Sequence, residues 1–211
     1  MPADPGSCLR IEKGWSLIEL MVGLTIVGVG LMVGAPSFSG WMQNTQIRTA
    51  AESIQAGLNL ARSEAIRRNT PVRFQLVDTL TNSCVLSTSG TNWVVNVGSS
   101  ISPAAQCDST PGSSASPYLV QASPAVSSNS LVTVAAGQPT ISFDGLGRQI
   151  ASTNPSVPVD SLIINIGNSA GACLAASGTL RCLRLMVSTL GQIRMCDPSV
   201  TSTTNNSPTA C

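Results

Sequence analysis

One stretch of this 211-residue chain constrains it more than any other. From Gly14 to Ile47 the only charged residue is Glu19, and within that span Trp15 to Ala35 reads WSLIELMVGLTIVGVGLMVGA. A helix rises about 1.5 Å per residue, so this run is long enough for a hydrocarbon core of roughly 30 Å. Arg10 and Lys13 precede it, and basic flanks stay on the cytoplasmic side. The expectation is an N-terminus in the cytoplasm and the remaining chain across the membrane. A second reading is a removable secretory signal cut after Ala35, since Val33-Gly34-Ala35 has the small residues such a site needs. That product would be a released β-domain. Against it, Pro36 follows the cut and the apolar run exceeds the usual length of a signal core.

Glu19 is the anomaly inside the run. A carboxylate in a membrane helix costs about 2.5–3.5 kcal/mol on insertion scales, and the segment holds no cation. Either Glu19 reaches water at the interface or its partner comes from another chain. Composition narrows the chemistry further. The chain has no histidine and only 10% charged residues. Without histidine there is no Ser–His–Asp or Cys–His nucleophilic site. The formal net charge of +1 gives no bulk attraction to nucleic acid.

The residues around Glu19 carry a resemblance. Lys13-Gly14-Trp15-Ser16-Leu17-Ile18-Glu19-Leu20 resembles the class III signal of type IV pilins and type II secretion pseudopilins. That resemblance implies cleavage by prepilin peptidase between Gly14 and Trp15 and N-methylation of Trp15, which stands where the family usually has phenylalanine. It also implies that Glu19 pairs with the α-amino group of a neighbouring subunit's Trp15 during assembly. The implied partners are other pilins or pseudopilins, the peptidase and an inner-membrane assembly platform, with no cofactor and no enzymatic activity. The mature protein would be a single-pass inner-membrane subunit with a periplasmic head.

Further along, Pro36 predicts a helix kink, because proline removes a backbone donor and crowds the preceding turn. From Thr45 to Arg68, Ile47, Ala51, Ile54, Leu58, Ala61 and Ala65 recur at helical spacing on one face. This predicts an amphipathic continuation of the helix, ended by Asn69-Thr70-Pro71. The run Leu60 to Arg68, LARSEAIRR, resembles the GspH/FimT branch of the pilin-like family. The expected divisions are a leader at 1–14, a transmembrane half-helix at 15–35, an amphipathic half-helix at 36–69 and a β-rich head at 70–211.

Beyond Pro71 the period becomes two. Val72, Phe74 and Leu76 alternate with Arg73 and Gln75, and Trp93–Val97, Leu131–Val134, Thr140–Phe143, Leu162–Ile166, Leu183–Val187 and Gln192–Met195 are further strand candidates. Asp144-Gly145 and Leu190-Gly191 mark turns. The fold class is therefore α+β, a long helix on antiparallel sheets. The Ser/Pro/Ala-rich stretch from Gly98 to Asn129 shows little periodicity and has no assigned purpose.

Cys8 precedes the implied cut. Six cysteines lie in the head, where an oxidising compartment favours disulfides. Six allow 15 pairings; neighbour pairing, Cys84–Cys107, Cys173–Cys182 and Cys196–Cys211, closes three local loops. A metal cluster competes, but no C-x-x-C spacing supports it. FimT-like pilins of competence pili carry a Gly-Arg-x-Arg motif linked to DNA. The matching segment is Gly191-Gln192-Ile193-Arg194, with glutamine at the first arginine. Arg181, Arg184 and Arg194 form a candidate weak DNA contact on the last hairpin; arginines solubilising a sheet edge is the competing reading.

Overall fold

The computed structural model describes residues 14–98, 103–112, 114–124, 131–200, 207 and 209–211, with the side chains of 33–37 outside that set. Residues 1–13 of the expected leader, Cys8 among them, and the side chain of Pro36, where a kink is expected, therefore lie outside the described residues. The chain divides into two units, Met1–Ser39 and Gly40–Cys211.

Helix α1 runs Leu17–Arg68. In the first unit Gly14, Trp15 and Ser16 precede it, and the Ser16 carbonyl accepts from the Glu19 and Leu20 amides. Ser16 thus takes the N-cap place, where the first helical amides need an acceptor. All described side chains from Trp15 to Met32 are exposed, including Trp15 at 79%. Among the described residues no helix is long and apolar enough to cross a membrane; the described side chains break off at Met32.

In the second unit the stripe read from the sequence is the core. Ile47, Ala51, Ile54, Leu58, Ala61 and Ala65 are all at most 1% exposed. They meet the inner faces of two antiparallel sheets in one hydrophobic cluster. The strands are β1 Val72–Val77, β2 Asn92–Val97, β3 Leu119–Ala122, β4 Val132–Ala136, β5 Thr140–Phe143 and β6 Gln149–Ile150. They continue with β7 Ser152–Thr153, β8 Ser156–Val157, β9 Leu162–Asn168, β10 Leu183–Val187 and β11 Ile193–Cys196. One sheet has the order β3-β2-β1-β5-β6, the other β11-β10-β9-β4, and β7 pairs with β8.

The helix sits close on the five-stranded sheet. A Cβ on Gly57 would lie 2.8 Å from the rings of both Phe74 and Trp93, so only glycine permits this approach. The two rings are 5.8 Å apart and tilted by 33°.

The alternation read in β1 does not put its polar residues in solvent. All six residues are buried. Arg73 lies beside Asn96 and Ser142 across the two neighbouring pairings, all on the face away from the helix, and that face is covered by a second layer. Val77, Cys84, Val94, Cys107 and Leu119 form a separate apolar cluster there. Arg73 donates from Nη1 to the Asn154 carbonyl in the β7–β8 turn, and the Ser142 and Ser152 hydroxyls bond each other. Burial lowers the Arg73 pKa to about 10. Part of the 98–129 stretch thus gains a role, since its Cys107 anchors the cover and its residues 119–122 form β3.

At the far end of the helix the turns of the two sheets dock on each other. Gly191 has φ +78°, and a Cβ there would fall 1.9 Å from the Gly147 carbonyl oxygen. That oxygen accepts from Arg62 Nε at 3.1 Å. The Gln149 amide donates to the Thr189 carbonyl. Helix, first sheet and second sheet are fastened at one point.

Candidate functional site

Two regions carry the candidate residues. The first is the start of α1. Gly14–Ser16 is non-helical and exposed, and Glu19 lies exposed in the first helical turn. A negative charge there is favoured by the helix macrodipole. The Ser16-x-x-Glu19 spacing also matches a capping pair. Open space surrounds Gly14, Gly23, Gly28 and Gly30. This half-helix presents an apolar surface with one carboxylate and no cation.

The second region is the head. Its six cysteines form three disulfides, Cys84–Cys107, Cys173–Cys182 and Cys196–Cys211, as neighbour pairing expects. This leaves none of the six as a thiolate for a metal. The last disulfide closes beside a parallel bridge of Asp197 with Ala210, so the terminal residues return to the end of β11.

The three arginines of the hairpin do not act as one surface. Arg194 lies opposite Met186 across the β10–β11 pair, which puts it on the same face as Arg184. That face is turned from the core, because Leu185 and Val187 point inward. Arg184 Nε donates to Asn165 Oδ1 at 2.8 Å, and Arg194 Nη2 donates to the Ala210 carbonyl at 2.8 Å. Arg181 lies apart, on the helix side. Its backbone N–H donates to Asn44 Oδ1 at 2.8 Å. Of the three, Arg184 and Arg194 share a face, and both are engaged with the chain itself. The cause is local: Arg181 precedes β10, where the backbone is tied to α1 before strand alternation begins.

Arg181 instead borders a groove that sequence reasoning missed. It has a volume of about 660 Å³ and runs between α1 and the β10–β11 hairpin. Its helix wall is Trp41, Thr45, Arg48, Glu52 and Gln55, a stripe spaced 4-3-4-3 beside the buried one. The opposite wall includes Leu183, Met195 and Asp197. The helical spacing of a second stripe was a signal for it; the opposite wall, over 120 residues away in sequence, gave none.

Ion pairs elsewhere on the head are surface fittings. Glu64 holds Arg67 and Arg68 at 2.6 and 2.7 Å. The Arg67 hydrogen bond, then that of Arg68, lowers the Glu64 pKa to about 2. Burial pushes the Asp144 carboxyl up, but hydrogen bonds from the Arg148 amide, the Arg148 guanidinium and the Leu146 amide outweigh it and hold it below its ordinary value.

The sequence model of the family described as Type II transport protein GspH matches residues 50–191. A curated relative, the type II secretion system protein H of Xanthomonas campestris pv. campestris, is 30% identical over 69 residues. The match covers 33% of this chain and 40% of that protein, so the chain spans less than half the length of this relative. Two crystal structures of the type IV minor pilin FimU of Pseudomonas aeruginosa match with TM-scores of 0.47 and 0.43, each at 17% identity. They cover 75% and 72% of this chain and 93% of theirs.

Proposed function

The chain belongs to the type II transport protein GspH family, and on that premise we propose that it is a minor pilin or pseudopilin. It serves as a structural subunit of a type IV pilus or type II secretion pseudopilus, not as an enzyme. The observation that carries this is an exposed apolar half-helix with a single carboxylate, Glu19, in its first turn, on a chain whose head matches the family.

The mechanism follows from the physics of that half-helix. Prepilin peptidase cuts between Gly14 and Trp15, and Trp15 is methylated. The exposed, non-helical Gly14–Ser16 segment suits a protease, which needs extended backbone. Residues 15–35 hold the subunit in the inner membrane, with the head on the periplasmic side. During assembly other pilins or pseudopilins cover the apolar surface, and Glu19 neutralises the terminal amine of a neighbour's Trp15. In low dielectric that attraction is strong, so it sets the register of one helix against the next. The head is stapled by disulfides and faces outward. Arg184 and Arg194 are occupied within the chain, which disfavours DNA as a partner.

Mass spectrometry of the native protein tests the processing step: the expected N-terminus is methylated Trp15, and any other N-terminus removes it. Glu19→Ala is expected to leave membrane insertion intact and to abolish incorporation into filaments. Unimpaired incorporation would remove the pairing role.

A further inference from the structure

The head has two ends that differ in charge, and each holds apolar side chains in solvent. One end is the junction where the Gly147 and Gly191 turns meet the last turns of α1. Ile66, Leu146 and Leu190 surround it, 50%, 71% and 73% exposed. A Cβ on Gly147 would lie 2.9 Å from Ile66 Cδ1, so the apolar tips are neighbours. Arg67 and Arg68 share one carboxylate, Glu64. Arg62 donates to the Gly147 carbonyl and, among the described residues, pairs with no carboxylate. Asp144 neutralises Arg148. Even with Asp160, which precedes β9, this end keeps a positive excess.

The other end is the loop after β1. Trp93, opposite Leu76, bonds Ser53, whereas Phe143, opposite Val72, leads into the turn whose Gly145 meets Asn69. β1 therefore runs back along α1, and Asp78 lies near the level of Ser53, thirteen residues before Ile66 and about 20 Å from it along the helix. The Val85 amide donates to the Asp78 carboxylate at 2.8 Å, and the Val85 side chain is 55% exposed. The Cys84–Cys107 disulfide brings exposed Asp108 to the same loop. No lysine or arginine occurs from Phe74 through Gly147. Among the described residues neither aspartate has an ion-pair partner; Arg48 and Arg181 border the groove on the side of the other sheet.

We propose that the basic end of one head docks on the Asp78–Val85–Asp108 loop of a second copy. Leu146 and Leu190 are the apolar anchors against Val85, and Arg62, Arg67 and Arg68 face the two aspartates. Charge complementarity of this kind fixes partner and register, around an apolar centre with a polar rim. Subunits of one filament share one direction, so neighbours meet through unlike surfaces. Such a heterologous contact repeats without closing, which an end-to-opposite-end match supplies and an end-to-same-end match does not. The proposal rests on the filament-subunit reading above.

The test uses two differently tagged full-length copies made together in cells that overproduce the assembly system. One copy carries the photoreactive Leu146→benzoylphenylalanine. Sheared filaments are illuminated and the linked peptides sequenced. The expected link joins residue 146 of one copy to the 78–85 or 108 segment of the other. Leu190→Asp in the first copy and Asp108→Arg in the second should each lower its yield about tenfold. Both positions are exposed, and intact disulfides establish that the variants are folded. A link to a different protein, a link to another segment of the second copy, or a yield that neither variant lowers overturns the docking. A chain absent from the sheared fraction overturns the filament reading and the docking with it, whereas a chain present there without the link overturns the docking alone.

Discussion

The indole N–H of Trp93 donates a 3.1 Å hydrogen bond to the hydroxyl of Ser53. It joins the second strand of the head to the middle of α1, across 40 residues. Trp93 is 2% exposed, so this N–H has little access to water. Ser53→Ala is expected to strand a buried donor and to cost about 1–3 kcal/mol. Urea unfolding of the single variants and of Ser53→Ala with Trp93→Phe gives the coupling. Additive losses would mean that the bond contributes nothing of its own.

One turn further along, Gly57 sets the distance between helix and sheet. Alanine in a helix gains about 1 kcal/mol over glycine, while forcing a methyl into a packed site costs about 1–3 kcal/mol. With both rings 2.8 Å from the new atom, the loss should win. Gly57→Ala is expected to lower the thermal midpoint, and Gly57→Val to lower it much more. A stabilised Gly57→Ala would show that the Phe74–Trp93 pair can retreat.

Glu64 makes the acid side of the stability curve predictable. Its pKa falls from 4.5 to about 2 on folding. The folded state therefore binds the proton less readily than the unfolded chain. The stabilisation is complete above the unfolded value and is lost as pH falls from about 4.5 towards 2. Arg67 and Arg68 are 63% and 38% exposed, so solvent screening limits the effect to about 1 kcal/mol. Glu64→Gln should remove that much between pH 5 and 7, at about the limit of denaturant titration, and should flatten the profile in acid.

The disulfides should rank by the loops they close, with sequence separations of 23, 15 and 9. In the chain-entropy picture these loops stabilise by roughly 2.5–3.5 kcal/mol each, the longest most. Replacing Cys84 and Cys107 together by serine is expected to cost most, because both are buried in the cluster covering the outer face of the sheet. Guanidinium unfolding of the three double variants gives the order. A Cys173–Cys182 variant as damaged as the Cys84–Cys107 one would contradict it.

Much of this was legible in the residues, and the exceptions share a cause. The stripe from Ile47 to Ala65 reads as core because six apolar residues on one helical face have no other destination. Leu183–Val187 and Thr140–Phe143 read as strands to the residue. Neighbour pairing of the cysteines holds because each pair lies near in sequence. Arg73 and Gln75 were opaque: alternation says which side of a strand a residue takes, not whether that side is later covered. The strands β6, β7 and β8 have two residues each, too few to show a period. The groove depends on Asn44 meeting Arg181 across 137 residues, a distance no local pattern spans.

The order of strands has a consequence for how the head is made. β4 joins the four-stranded sheet only through β9, while β1 joins the five-stranded sheet through β2 and β5. The chain visits the second sheet once, returns to the first, and then goes back. Residues 132–136 must therefore wait for residues 162–168 to supply their strand partner. Such non-local pairing is slow relative to local turns. In a chain that emerges N-terminus first, the helix and β1–β2 can assemble early, but the second sheet closes only when its last third arrives. The waiting edge of β4 is then the point most open to wrong pairing.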